Sequence, residues 1–150
     1  ETDQYPVPAI KNLRAEEQPF TALAESKNSY ELELDFAANT EHEIILFADK
    51  NGKGLRINFD LKAGQVTVDR SQAGEPFALD FGTSRSCNID KEATSATIFI
   101  DKSIFEIFIN KGEKVFSGRV FPREDQTGIA ITKGNPTGTY YELDYGRKAN

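Results

Sequence analysis

Apolar and polar residues alternate along most of this chain with a period of two. The clearest run is 29–36, where Tyr30 and every second residue after it are apolar and acidic residues lie between them. Successive side chains of a β-strand point to opposite faces, so this run predicts a strand with one buried face and one wet face. The runs at 55–59 and 66–68 repeat the pattern.

Turn-forming residues separate these runs. Asn51-Gly52 and Ala63-Gly64 lie between neighbouring runs, and Asn and Gly adopt positive φ at little cost, so we expect hairpins. Further short apolar runs follow at 96–101, 104–110, 115–121, 128–132 and 139–145. About nine or ten short, evenly spaced strands with almost no helix signal predict an all-β fold, an antiparallel β-sandwich of two packed sheets.

Residues 1–19 differ from the rest of the chain. They contain three prolines, each of which fixes φ and removes a backbone donor, so a central strand is excluded there. Ile10 and Leu13, three residues apart, favour a short helical turn that begins near Pro8. We expect 1–19 to be a connector and 20–150 to form the sandwich domain.

Charge and hydropathy exclude several classes of protein. The chain has 150 residues, with 18 basic and 24 acidic side chains and a formal charge of −6. No cluster of Lys or Arg is present to follow a phosphate backbone, so no nucleic acid partner is expected, and the net charge disfavours an anionic membrane surface. The longest apolar run, 44–48, is far shorter than the ~20 residues of a membrane helix, so no membrane span is predicted.

Cysteine usage bears on the compartment. Cys87 is the only cysteine and cannot pair within the chain, which favours a reducing compartment. The first residues lack the basic and apolar regions of a signal peptide. We therefore expect a cytoplasmic protein, with an extracellular one as the alternative. A chain of this length buries enough surface to fold without a disulfide or a metal.

Three acidic residues have a spacing that suits hydrolysis of a glycosidic bond. Glu31, Glu33 and Asp35 project from one strand face, so neighbouring carboxylates stand about 6.7 Å apart, as in an inverting glycosidase. Nothing nearby predicts the apolar pocket that raises the pKa of a catalytic acid. We interpret the three residues as a solvated sheet face and assign no catalytic residue.

His42 and Cys87 are the other residues that invite a chemical role. His42 lies between two glutamates, but in an extended strand it points away from both, and one histidine without partners is not a metal site. We expect it on the surface. No nucleophile elbow is present, and Cys87 is expected to be a small buried hydrophobe. No cofactor and no metal are predicted.

Several motifs together resemble a known family. The segment 96–122 has the sequence ATIFIDKSIFEIFINKGEKVFSGRVFP, three short strands that end in Arg-Val-Phe-Pro. Four other motifs agree with it in order: TDQYPVPAIKNLR at 2–14, GLRINFD at 54–60, VTVDRSQAGEPF at 66–77 and FGTSRSC at 81–87. The chain thereby resembles the C-terminal β-sandwich module of glycoside hydrolase family 32, the β-fructofuranosidases, and most of all the members that act on phosphosucrose.

The resemblance implies an accessory domain. In that family an N-terminal propeller carries the chemistry, with Asn-Asp-Pro, Arg-Asp-Pro and Glu-Cys motifs. None of these occurs here, since Cys87 follows Ser86 and Asp69 precedes Arg70. The resemblance therefore implies a partner, the catalytic propeller of the same parent chain, which this module stabilises without activity of its own. The implied parent reaction is retaining hydrolysis of the β-fructofuranosidic bond of sucrose or sucrose 6-phosphate.

Candidate contacts with the propeller come from one strand and from the connector. The strand that begins at Ile104 is partly apolar on both faces, with Phe108 on the outer one. Such strands are usually covered on both sides, so Phe108 is a candidate interdomain residue, and cover by a loop or by the C-terminal strand is the alternative. The resemblance places the connector at the junction, where Tyr5, Val7 and Leu13 are expected to pack, or else it lies on its own domain.

Charged residues at family-like positions are further structural or interdomain candidates. Glu106 and Arg119 match acidic and basic positions of the resembled pattern and are expected to form a hydrogen-bonded pair between strands. Asp69, Arg70 and Arg85 match the pattern as well, and the resemblance implies a structural or interdomain role for them. It also allows a homo-oligomer.

A sugar-binding module is the main alternative function. β-Sandwiches often bind sugars on aromatic platforms, and Tyr140, Tyr141 and Tyr145 are the best candidates here. Strand periodicity puts Tyr141 and Tyr145 on one face and Tyr140 on the other, and the chain has no tryptophan, so one or two of the three are expected in the core. A free-standing interaction module is a third class, for which no pattern identifies a partner.

Overall fold

A computed structural model describes residues 13–74, 84–92 and 94–144. Within these ranges the chain forms eleven strands and no α-helix. The strands are β1 Arg14–Pro19, β2 Ser29–Phe36, β3 Glu41–Ala48, β4 Leu55–Asp60, β5 Gln65–Asp69, β6 Ser84–Asn88, β7 Thr94–Asp101, β8 Ile104–Ile109, β9 Lys114–Arg119, β10 Gly128–Lys133 and β11 Thr137–Leu143. No helix in the described ranges has the length and hydropathy of a membrane span.

The strands form two antiparallel sheets that pack face to face. The first sheet has six strands in the order β1-β11-β2-β7-β8-β9, and the second has five in the order β10-β3-β4-β5-β6. Strands that follow one another in sequence are neighbours from β3 to β6 and from β7 to β9, as expected of hairpins. The predicted all-β antiparallel sandwich is confirmed.

The core fills the space between the inner faces of the two sheets. From the first sheet, Leu32 and Leu34 of β2 are at most 1% exposed, and from the second, Ile57 and Phe59 of β4 are fully buried. Phe36 stacks on Phe59 with ring centroids 4.3 Å apart. Burying each such side chain contributes about 1.5–3 kcal/mol, so the alternation read from the sequence is also the main source of stability.

Two strands were not expected from the alternation. β1 lies within the segment interpreted as a connector, and β6 has the polar sequence SRSCN. Both are edge strands that pair on one side only. Most side chains of β1 and β6 are exposed, so neither strand shows period-two hydrophobicity, and an edge strand tolerates Pro19 at its end. The helical turn expected near Pro8 lies outside the described residues, as do Tyr5 and Val7.

His42 is buried, so the expectation of a surface histidine was wrong. Its side chain is on the inner side of β3, 8% exposed, with its ring 5.2 Å from that of Phe36. The turn between β10 and β11 covers it, and the backbone N–H of Asn135 donates to Nδ1 at 3.1 Å. With Nδ1 an acceptor, Nε2 carries the proton and donates to Thr40 Oγ1 at 2.9 Å. The sequence pattern did not reveal which turn would close over this face.

His42 should make the domain less stable in mild acid. Burial lowers the pKa of His42 below its ordinary value of 6.5. Below that value the unfolded chain binds a proton that the folded chain does not, so the free energy of unfolding falls as pH drops until the folded pKa is passed. We expect His42→Gln to reduce the difference between urea midpoints measured at pH 7.5 and pH 5.5. An unchanged difference would show that other groups cause it.

Candidate interdomain joint

The chain enters the described domain on the outer face of the first sheet. The backbone N–H of Asp144 donates to the carbonyl oxygen of Leu13 at 2.8 Å, so the two ends of the described chain lie side by side. Arg14 is opposite Leu143 in the register of β1 and β11. We call Leu13 and Arg14, with the side chains that hold them, the joint.

A buried ion pair fixes the joint to the sheet. Arg14 donates from Nε to Glu31 Oε1 at 2.8 Å and from Nη2 to Glu31 Oε2 at 2.7 Å, with a longer bond to Glu33 at 3.3 Å. The side chain of Arg14 is 19% exposed and that of Glu31 only 3%. The hydrogen bond to Glu31 raises the pKa of Arg14. A two-pronged bond of this kind sets orientation as well as distance.

Glu31 is therefore not part of a solvated face, and that interpretation was wrong for this residue. Period two correctly placed Glu31 and Glu33 on the outer face, but β11 and β1 lie beside β2 and bring Arg14 over them. Asp35, farther along the same face, is exposed. Both carboxylate oxygens of Glu31 accept from one guanidinium, an arrangement that suits a structural ion pair rather than an acid that must hold and release a proton.

Tyr141 completes the polar half of the joint. The guanidinium carbon of Arg14 lies 3.7 Å from the centre of the Tyr141 ring, a cation–π contact. The Tyr141 hydroxyl donates to Glu33 Oε1 at 3.1 Å. Burial, and after it the hydrogen bond to Glu33, raises the pKa of Tyr141. Arg14 is the last residue of the family-like motif at 2–14, and the motif by itself indicates no role for it. The only indication of its partner Glu31 in the sequence is the run of acidic residues on β2.

The two tyrosines of β11 do not form an aromatic platform. Tyr140 points into the core, with its ring centroid 5.2 Å from that of Tyr30, and burial raises its pKa to about 12. Tyr141 lies on the outer face under Arg14. The opposite orientation predicted for these two residues is confirmed, and Tyr145 lies outside the described residues.

A small apolar cluster forms the other half of the joint. Phe99, Phe108 and Leu143 pack together on the outer face, with Leu13 and Val115 against them. The rings of Phe99 and Phe108 meet edge to face at 6.1 Å. Phe108 is only 4% exposed, so it does not present an open surface. Leu143 of the last strand belongs to its cover, as in the alternative considered for Phe108.

Glu106 and Arg119 do not pair, contrary to expectation. The register sets Glu106 opposite Ser117 and Arg119 opposite Ile104, so the two charged residues are diagonal neighbours on one face. Arg119 donates instead to Ser103 Oγ at 3.3 Å. Both charged side chains are exposed, and among the described residues no ion pair joins them. Agreement with a pattern of charged positions does not determine which residues of β8 and β9 lie opposite each other.

The remaining candidates lie near the edge of the sandwich that β6 and β9 form. Asp69 accepts a hydrogen bond from the backbone N–H of Ser71 at 2.8 Å and so shapes the turn after β5. Arg70 donates to the carbonyl oxygen of Arg119 at 2.8 Å, which ties the second sheet to β9. Arg85 lies beside Arg70 at a small cleft. Of the site candidates named from the sequence, only Leu13 and Phe108 lie in the joint.

Cys87 is partly buried against the core, and burial raises the pKa of its thiol, which disfavours the reactive thiolate. In the part of the chain that the structure describes, no three His, Cys, Asp or Glu side chains gather as metal ligands would.

Comparison with known proteins finds one family over most of the chain. Residues 6–145 match the family model described as "Glycosyl hydrolases family 32 C terminal". The chain is 56% identical over 142 residues to sucrose-6-phosphate hydrolase of Streptococcus mutans, covering 95% of this chain and 30% of that protein. It is 38% identical over 132 residues to the Lactococcus lactis sucrose-6-phosphate hydrolase, covering 84% and 25%.

A solved structure agrees with the fold. The structure of sucrose-6-phosphate hydrolase from Lactobacillus gasseri superposes with a TM-score of 0.87 at 32% identity, covering 95% of this chain and 31% of that one. The chain thus spans less than a third of the length of these relatives. Because the family model covers almost all of it, the chain belongs to glycoside hydrolase family 32 and is a C-terminal β-sandwich domain of that family.

Proposed function

We propose that this domain supports an N-terminal catalytic propeller in the same parent chain and has no hydrolytic activity alone. The observation that carries the proposal is the joint. The segment that would lead from a preceding domain reaches the sandwich at Leu13 and is held there by the buried pair of Arg14 and Glu31. A segment fixed in both position and orientation transmits the placement of one domain to the next.

The apolar half of the joint has the same consequence. Leu13 packs against the cluster of Phe99, Phe108 and Leu143, so separating the connector from the sheet would expose apolar surface. In this proposal Phe108 acts through the connector and not as an exposed contact. In this proposal residues 13–19 move with the sheet, and the propeller is stabilised by packing against this unit.

For the parent enzyme we propose retaining hydrolysis of sucrose 6-phosphate, with sucrose as the second substrate. Support comes from the relatives named sucrose-6-phosphate hydrolase at 56% and 38% identity. A phosphorylated disaccharide is an intracellular substrate, since its charge prevents passive passage through a membrane, so we also propose a cytoplasmic location. The lone Cys87 fits a reducing compartment.

The test is release of reducing sugar from sucrose 6-phosphate and from sucrose. The chain is assayed alone and mixed with the separately expressed N-terminal part of its parent. We expect no activity from the chain alone, and a mixture more active or more heat-resistant than the N-terminal part. The variant Arg14→Met/Glu31→Leu, which removes the buried ion pair of the joint, should give a smaller gain. Hydrolysis by the chain alone would overturn the proposal.

A further inference from the structure

A small cleft opens between the two sheets at the edge formed by β6 and β9. It has a volume of about 110 Å³ and lies where β5 and β6 of the second sheet face β8 and β9 of the first. The side chains of Arg70 and Arg85 line it. Phe105 is among the apolar residues of its wall. The described lining contains two cationic and no acidic side chains, in a chain whose net charge is −6.

The two arginines reach the cleft by different routes. Arg70 follows β5, and its bond to the carbonyl oxygen of Arg119 holds its guanidinium in place. Arg85 is opposite Val68 in the register of β5 and β6, and Val68 is a core residue. Because paired residues share a face, Arg85 lies on the inner side of an edge strand, and among the described residues no carboxylate forms an ion pair with it.

An inward-pointing charge on an edge strand also has a simpler explanation. Such charges prevent edge strands from pairing with other chains, and Arg85 alone would serve that purpose. Protection of an edge does not require a second arginine at the same cleft. The convergence of Arg70 and Arg85 on one cleft with an apolar wall is what points to a ligand.

We propose that this cleft binds the phosphoryl group of a small phosphorylated sugar. A guanidinium presents two parallel N–H donors that match phosphate oxygens. The apolar wall at Phe105 and Phe116 excludes water from one side and strengthens these bonds. The sugar part of the ligand rests on the proposed function, since the parent would consume and release phosphorylated sugars. The phosphoryl part rests on the cleft alone.

Titration of the full chain at low ionic strength tests this site. Isothermal calorimetry with fructose 6-phosphate, inorganic phosphate and fructose separates the contributions of the sugar and the phosphoryl group. We expect fructose 6-phosphate to bind more tightly than phosphate, fructose not to bind, and both affinities to fall with added salt. Equal affinities for phosphate and fructose 6-phosphate would support the phosphoryl site and show that the sugar ring is not recognised.

Variants separate a specific site from general charge attraction. Arg85→Gln should weaken binding of fructose 6-phosphate about tenfold or more, because it removes charged hydrogen bonds. Arg56→Gln is the matched control, since Arg56 pairs with Glu43 on the outer face of the second sheet and makes the same change in net charge. Arg85→Lys keeps the charge but loses the two-pronged donor, so its affinity for fructose 6-phosphate should lie between those of Arg85→Gln and Arg56→Gln. Circular dichroism confirms that each variant folds.

Three results would overturn the proposal: no saturable binding of either phosphate compound, equal weakening by Arg85→Gln and Arg56→Gln, or unchanged binding by Arg85→Gln. None of these results bears on the supporting role of the domain, which the assay with the N-terminal part measures separately. A failure of that assay with intact phosphate binding would in turn leave the cleft in place and remove only the reason for naming a sugar.

Discussion

Arg14→Ala is expected to lower the free energy of unfolding by about 3 kcal/mol, a large fraction of the stability of a domain of this size. The substitution leaves the Glu31 carboxylate, whose side chain is 3% exposed, without its guanidinium partner. It also removes the cation over the Tyr141 ring. An isolated buried charge costs more than the pair contributes, which places the loss well above that of a surface ion pair.

A double variant that replaces both members of the pair gives this prediction its control. Arg14→Met/Glu31→Leu should cost less than about 1 kcal/mol, because apolar residues of similar size replace a buried pair with little penalty. Lys27→Ala is the matched surface variant, since Lys27 is 82% exposed and 3.8 Å from Glu142, and should change stability by less than about 0.5 kcal/mol. The measurement is urea unfolding at pH 7. A double mutant as unstable as Arg14→Ala would show that the pair is needed for more than charge balance.

The inner faces of the sheets could be predicted from the sequence because burial there is set by strand periodicity. Leu32 and Leu34 are buried, and Glu31 and Glu33 lie on the other face, as a period of two requires. Periodicity states which face a residue occupies and nothing about what lies above that face. The partner of Glu31 comes from Arg14, seventeen positions away in sequence and two strands away in the sheet.

The same limit explains the other errors. His42 was correctly placed opposite its glutamate neighbours, but its burial depends on the turn that brings Asn135 to its ring. Glu106 and Arg119 share a face, but their pairing depends on a register that turn geometry sets and composition does not. The edge strands β1 and β6 lack this periodicity because most of their side chains are exposed. Local patterns therefore predict the two sheets of the sandwich, whereas the candidate sites depend on contacts between segments that are distant in sequence.

Gln126→Ala should destabilise the domain by about 3 kcal/mol, although Gln126 belongs to no strand and no family-like motif. Its side chain donates to the carbonyl oxygens of Lys53 and Gln72, both at 3.1 Å, and accepts from the backbone N–H of Arg123 at 3.0 Å. It is fully buried, so truncation leaves three backbone groups without this partner and opens a void among three loops. Gln65→Ala, at an exposed position of β5, should change stability by less than about 0.5 kcal/mol.

Gln126→Glu distinguishes lost hydrogen bonds from lost volume. The side chain keeps its shape but becomes acceptor-only when ionised, and it then faces the carbonyl oxygens of Lys53 and Gln72. We expect a loss at pH 7 larger than that of Gln126→Ala, because the buried carboxylate adds a desolvation cost. Burial favours the protonated form, which can donate to one carbonyl, so the deficit relative to wild type should shrink as pH is lowered. A deficit smaller than that of Gln126→Ala at pH 7 would mean that the void, and not the hydrogen bonds, dominates at this position.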